Sequence, residues 1–243
     1  MTMTATDRKL FTARLLHCRD LSDSTKHFSW EVEEAHKFDF QAGQFVSMLA
    51  QHDGREITRA YSIASAPRGD NTFDLCLNRV PDGFFSNWLS DLRAGAEVKF
   101  HGPHGYFTLK HPVRDSIFVA TGTGIAPIRG MLHWLLADPA HHENHEFWLV
   151  FGVRYRKDLY YDEEFRQLDA DHPNFHYIPT LSRENPAWTG ARGYVQEHVE
   201  RLAKGRIDMD AYICGLRDMV SANRELLKRS GWDRKSILYE RFD

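Results

Sequence analysis

The apolar positions of this chain keep two different rhythms. In the first half they form short strand-like stretches cut by turn formers, and these predict strands at residues 9–18, 27–32, 44–50, 57–64, 73–80 and 97–100. The separators are Gly43, Asp53-Gly54, the run from Pro67 to Asp70, and Pro81-Asp82-Gly83. A single helical stretch, 84–92, interrupts them, starting beside Gly83 and stopped by Gly95. Strands at this spacing predict a small antiparallel barrel or sandwich.

Past Pro112 the rhythm changes. Continuous apolar strands are predicted at 116–120, 147–153, 175–180, 211–214 and 237–239, and they alternate with helices at 127–136, 161–168, 194–202 and 216–228. That alternation implies a parallel sheet covered on both faces. The expected fold class is therefore two-domain: an antiparallel β-barrel over 1–111, followed by an α/β parallel-sheet domain over 112–243, divided at a Lys-His-Pro turn.

Composition narrows the function by exclusion. The 31 Lys and Arg against 34 Asp and Glu leave a net charge of −3, which gives no electrostatic case for nucleic acid or a membrane surface as the main partner. The N-terminal MTMTATDRKL has no apolar run of the secretory kind, and no later stretch approaches the roughly 20 apolar residues of a membrane span. A cytoplasmic protein is expected. Cys18, Cys76 and Cys214 form no Cys-x-x-Cys pair and supply neither a four-cysteine zinc site nor an iron–sulfur cluster. His141-His142-x-x-His145 reads as a solvated polar loop, and His101 and His104 read as turn residues around Gly102-Pro103, so no metal site is expected.

Candidate chemistry begins at the turn after the first parallel strand, Thr121-Gly122-Thr123-Gly124-Ile125-Ala126-Pro127. Gly122 and Gly124 let a backbone approach a pyrophosphate closely, and the following helix offers unpaired N–H groups. Pro127 suits the first turn of that helix but stands where the full motif has its third glycine. The second strand of a dinucleotide fold ordinarily ends in an acid that holds a ribose hydroxyl. Here Arg154 stands in that region, and the third strand runs into Ser182-Arg183-Glu184. Both strand ends lie on one edge of a parallel sheet, so Arg154, Ser182 and Arg183 can converge on a 2′-phosphate; the alternative is solvated arginines, with Arg183 paired to Glu184.

In the first half, Arg59-Ala60-Tyr61-Ser62 ends a predicted strand, and Arg59 and Tyr61 share one of its faces. Alone they read as a packing pair. In order along the chain, however, come Arg59-x-Tyr61-Ser62, Pro81-Asp82-Gly83-Phe84-Phe85-Ser86, Gly102-Pro103-x-Gly105-x-Phe107, the Thr121–Pro127 turn and Cys214-Gly215. This series closely resembles the ferredoxin–NADP reductase family, of the bacterial FAD-dependent ferredoxin or flavodoxin reductase type.

The resemblance implies FAD at a junction between barrel and dinucleotide domain, and NADP(H), with NADH as the alternative, as the hydride partner. Arg59, Ala60 and the helix start Gly83, Phe84, Phe85 and Ser86 are then expected at the FAD pyrophosphate, with Tyr61 stacked on the ring and Ser62 near its hydride-accepting nitrogen. Thr123 and Cys214 are expected to border the nicotinamide, with Gly215 allowing close approach. A lone cysteine at a strand end also reads as a small buried apolar residue. In the tail, the resemblance implies that Phe242 covers part of the cofactor and that Glu240 relays a proton or tunes the flavin; a salt bridge from Glu240 to Arg241 or Arg59 is the alternative. The implied activity is electron exchange with a separate ferredoxin or flavodoxin, with Arg68, Lys99, Lys110 and Arg114 as the candidate docking patch.

Two other functions stay open at the level of sequence. NADH-using reductase components of oxygenases resemble the chain in Trp188-Thr189-Gly190 and Gly193-Tyr194-Val195, although Ser182-Arg183 departs from the acid or proline that many of them carry. A non-catalytic flavin subunit or redox sensor on the same fold is the third.

Overall fold

The computed structural model describes residues 9–183 and 186–242, so residues 1–8, 184–185 and 243 lie outside the described residues. The first half contributes β1 (Leu10–Asp20), β2 (Thr25–Val32), β3 (Phe45–His52), β4 (Arg55–Ser62), β5 (Thr72–Asn78), helix α1 (Phe84–Asp91) and β6 (Glu97–His104). These strands pair antiparallel in the order β4-β3-β6-β1-β2-β5. An antiparallel bridge between Ile63 and Leu75 joins the two edges, which closes the sheet into a barrel. Its interior is aromatic, with Phe28, Trp30, Phe73 and Phe100 fully buried.

The second half adds β7 (Ser116–Thr121), α2 (Ile125–Leu136), α3 (Pro139–His142), β8 (Phe147–Val153), α4 (Asp162–Asp171), β9 (Phe175–Leu181), β10 (Ala191–Arg192), α5 (Val195–Ala203), β11 (Asp210–Leu216), α6 (Arg217–Arg229) and β12 (Ile237–Phe242). The six strands run parallel in the order β10-β9-β8-β7-β11-β12. Period-two alternation divides their side chains. Phe118, Ala120, Leu149 and Phe151 pack with α2 and α4, while Ile117, Val119, Val150 and Ile213 pack with α5 and α6. The α2 cluster also takes in Ala42, Ala64, Cys76 and Phe107 from the barrel half, so one apolar core continues across the junction. No helix among the described residues is long and apolar enough to cross a membrane.

Several expectations are corrected. His101 and His104 are strand residues of β6, because its pairing with β3 runs on through Phe45 and His104. The His141–His145 segment is not a solvated loop: His141 stacks on Trp134 at 3.9 Å, and Asn174 Nδ2 donates to the carbonyls of His142 and His145. Strand β12 extends to Phe242, three residues past its predicted end at 239, since each added residue finds a partner on β11.

Candidate active site

The barrel half presents the end of β4. Arg59 is exposed, its Nη1 donating to the Thr58 carbonyl at 2.9 Å, and no acidic side chain pairs with it among the described residues. Ala60 is exposed on the opposite face. Tyr61 is half-buried with its ring 6.0 Å from Phe85, and burial pushes its phenol up to about 12 against the pull of Arg59. It is a neutral flat surface at physiological pH.

Gly83 caps α1, and the first N–H groups of that helix, on Phe84, Phe85 and Ser86, have no acceptor within it. The side chains there are committed elsewhere. Phe85 lies in the barrel core, Phe84 stacks on His52 at 3.8 Å, and Ser86 Oγ accepts from the Val80 N–H at 3.0 Å while donating to the Gly83 carbonyl at 3.3 Å. What α1 offers an anion is its backbone.

The other wall comes from the parallel sheet. Beyond β7, Gly122 takes a left-handed φ of 54°, and a Cβ built on it meets no atom within 4 Å. That open space leaves the backbone of the turn uncovered, which is the cradle a pyrophosphate needs. Gly124 is the reverse case: a Cβ there would lie 2.3 Å from the Cys214 carbonyl oxygen, so this glycine lets α2 rest directly on β11. Thr123 is half-exposed between them. Gly215 is buried beside Thr121, whose Oγ1 accepts from the Leu216 N–H at 3.3 Å. Pro127 is buried in the first turn of α2 and shapes that turn.

The ends of β8 and β9 are tied together by backbone bonds, Ser182 N–H to the Val153 carbonyl and Arg183 N–H to the Arg154 carbonyl, each at 3.0 Å. Ser182, Arg154 and Arg183 are all exposed there. The alternative partner of Arg183, Glu184, lies outside the described residues.

Between the two walls, Ser62 Oγ donates to Glu240 Oε2 at 3.2 Å. Burial raises the Glu240 carboxyl, and the Ser62 hydrogen bond only partly opposes it. Cys214 stands opposite Glu240 in the β11–β12 pairing and is fully buried. Burial, with the Glu240 charge added, pushes its thiol well up, so it is no thiolate nucleophile. Phe242 is half-buried opposite Leu216.

Arg68 pairs with buried Asp74, Lys110 and Arg114 both pair with buried Asp210 at 2.7 Å, and Lys99 bonds Thr12 and faces Glu34. Each of these four cations has a partner within the chain, and their side chains remain 34–56% exposed. The junction also holds a buried polar group that the sequence does not announce: Arg129, Glu164, Asp74, His27 and Tyr161. No motif marks it, since its members come from five separate elements or turns.

An anion cradle with no side chain in it, a helix start with spare N–H donors, an exposed arginine without an acidic partner and a neutral aromatic plane suit a flavin dinucleotide on one wall and a pyridine dinucleotide on the other. The residues present therefore fit both groups. Comparison with known proteins agrees. Residues 12–109 match the family model described as oxidoreductase FAD-binding domain, and residues 118–225 match oxidoreductase NAD-binding domain. Over 243 aligned positions the chain is 42% identical to ferredoxin–NADP reductase B of Sorangium cellulosum (strain So ce56), covering 96% of this chain and 98% of that protein.

The chain belongs to the ferredoxin–NADP reductase family. Other relatives of this reductase are larger. It is 32% identical over 220 residues to the glycine betaine monooxygenase reductase subunit of Pseudomonas aeruginosa (strain UCBPP-PA14), covering 88% of this chain but only 59% of that one. Among solved structures, the reductase resembles an Amycolatopsis cytochrome P450 reductase with a TM-score of 0.84 and 31% identity, over 98% of this chain and 73% of that one.

Proposed function

We propose that this reductase uses FAD to move electrons between NADP(H) and a separate one-electron carrier, a ferredoxin or a flavodoxin. The observation that carries the reading is the meeting of Ser62, at the end of the flavin-side strand, with Glu240, which stands opposite Cys214 on the dinucleotide side. When bound, FAD supplies the exchange between a two-electron hydride and single electrons. The protein's residues divide the remaining work. Arg59 and the α1 N–H groups hold the flavin pyrophosphate, and Tyr61 supplies the stacking plane. The Gly122–Gly124 turn holds the second pyrophosphate, while Arg154, Ser182 and Arg183 take the 2′-phosphate of NADP(H). Ser62 orients a polar edge, and Glu240, whose carboxyl burial raises above its ordinary value, is the acid–base group beside it. Cys214 and Phe242 exclude water. The flavin half spans 1–111 and the dinucleotide half 112–243 in this reading.

The direct test is reconstitution with FAD, followed by NADPH-driven reduction of a [2Fe–2S] ferredoxin and of a flavodoxin. Turnover with either supports the reading; a flavin-loaded enzyme reduced by NADPH that passes electrons to neither carrier overturns the carrier assignment. The similarity to a monooxygenase reductase subunit favours a second reading, a reductase component that feeds an oxygenase, for which NADH is the expected donor. Faster flavin reduction by NADH than by NADPH would establish it.

A further inference from the structure

Helix α2 begins at the nucleotide turn, and its second turn is fastened to the flavin half through one side chain. Arg129 is nearly buried, its side chain 11% exposed. Its Nη1 donates to the Ala64 carbonyl at 2.7 Å, two residues beyond Ser62. Its Nε and Nη2 grip Glu164 of α4 at 2.6 and 3.0 Å, Asp74 of β5 lies 3.6 Å from Nη1, and its guanidinium stacks 4.7 Å over the Tyr161 ring. Asp74 in turn accepts the Ala64 N–H on its backbone carbonyl at 2.7 Å. The next residue, Gly130, touches the same segment: a Cβ there would lie 2.6 Å from the Ser65 carbonyl oxygen. A guanidinium fork has the donors for a bidentate carboxylate and a carbonyl together, whereas an ammonium is a point charge.

We propose that Arg129 is a positioning residue for hydride transfer: it clamps the helix that receives the nicotinamide nucleotide to the strand end that receives the flavin, and so sets the distance between the two rings. This rests on the functional reading above. Arg129 and Gly130 make their contacts with Ala64, Ser65, Asp74, Tyr161 and Glu164, so disturbing the clamp alters the approach of the rings and leaves the grip on each nucleotide intact.

The experiment compares FAD-loaded wild type with Arg129→Lys and Gly130→Ala. NADP+ affinity is read by difference spectroscopy, hydride transfer from NADPH by anaerobic single turnover, and ring approach by the long-wavelength charge-transfer absorbance with 1,4,5,6-tetrahydro-NADPH, which has no hydride to give. Both variants are expected to keep their FAD and bind NADP+ within about threefold, yet transfer hydride roughly 10- to 100-fold more slowly and lose most of the charge-transfer band. An Arg129→Lys enzyme with unchanged hydride transfer and an unchanged band overturns the proposal, whatever its melting temperature. If that variant does not fold, Gly130→Ala, whose methyl presses on the Ser65 carbonyl across the same junction, takes its part: a weakened band supports the clamp and an unchanged one overturns it. Wild type that takes up no FAD overturns the functional reading itself, before any variant is compared, and the clamp with it.

Discussion

Ser62 Oγ and Glu240 Oε2 meet at 3.2 Å although 178 residues separate them. The bond joins the end of the barrel's edge strand to the last strand of the parallel sheet. Glu240 is half-buried there with a hydroxyl as its partner, and the loss of solvent raises its carboxyl.

That environment gives a stability prediction of definite sign. An acid whose folded pKa is raised stabilises the fold below its ordinary value near 4.5 and loses that stabilisation as pH climbs through the folded value. Glu240→Gln is therefore expected to melt higher than wild type at pH 7, with the advantage gone below pH 4.5. Melting curves between pH 4 and 8 on the flavin-free protein decide it; equal melting temperatures throughout would show that burial does not disfavour the charge.

His27 predicts the opposite slope. Burial first, with Arg129 and Arg19 assisting, holds it at about 4 against the pull of Asp74 and Glu164, so the folded imidazole stays neutral. Below pH 6.5 the unfolded chain takes up the proton more readily, and stability falls by up to about 3 kcal/mol as pH drops to 4. His27→Gln is expected to flatten this part of the curve, measured by urea unfolding at several pH values. An unchanged slope assigns the acid sensitivity elsewhere.

Two glycines in one turn separate binding from folding. Gly122→Ala places a methyl in open space, so its expected effect is about 1 kcal/mol of backbone strain with at least a tenfold loss of NADP+ affinity. Gly124→Ala drives a methyl into the Cys214 carbonyl and is expected to destabilise the fold by about 3 kcal/mol. Calorimetry of nucleotide binding beside denaturant titration checks both; the reverse pattern would misplace the cradle.

Exposed arginines at the ends of β8 and β9 predict coenzyme choice. Removing one charge-assisted bond to a phosphate is worth about 1.5–3 kcal/mol, so Arg154→Ala and Arg183→Ala are each expected to raise the KM for NADPH roughly 10- to 100-fold and leave that for NADH unchanged. Equal losses for both coenzymes would remove the 2′-phosphate from these residues.

Much of the fold and of the site is legible in the residues alone. The continuous apolar runs at residues 147–153 and 116–120 carry strand and burial in one signal, and the turn at Thr121–Pro127 announces itself by its glycines. Strand β10 is not legible, because two residues carry no period. The four cations of the expected docking patch look alike in sequence, yet Asp210, far away in the chain, claims Lys110 and Arg114. Arg129 is hidden for the same reason. It sits among apolar residues of α2, and only the folded chain shows that its partners are Ala64, Asp74 and Glu164.

An NADPH-reducible flavin at this junction is tested most directly by an anaerobic visible spectrum of the FAD-reconstituted protein, before and after matched additions of NADPH and NADH. The expected result is a yellow protein whose flavin absorbance is bleached much more readily by NADPH than by NADH. A protein that remains colourless after incubation with FAD, or a bound flavin that neither coenzyme bleaches, would contradict it.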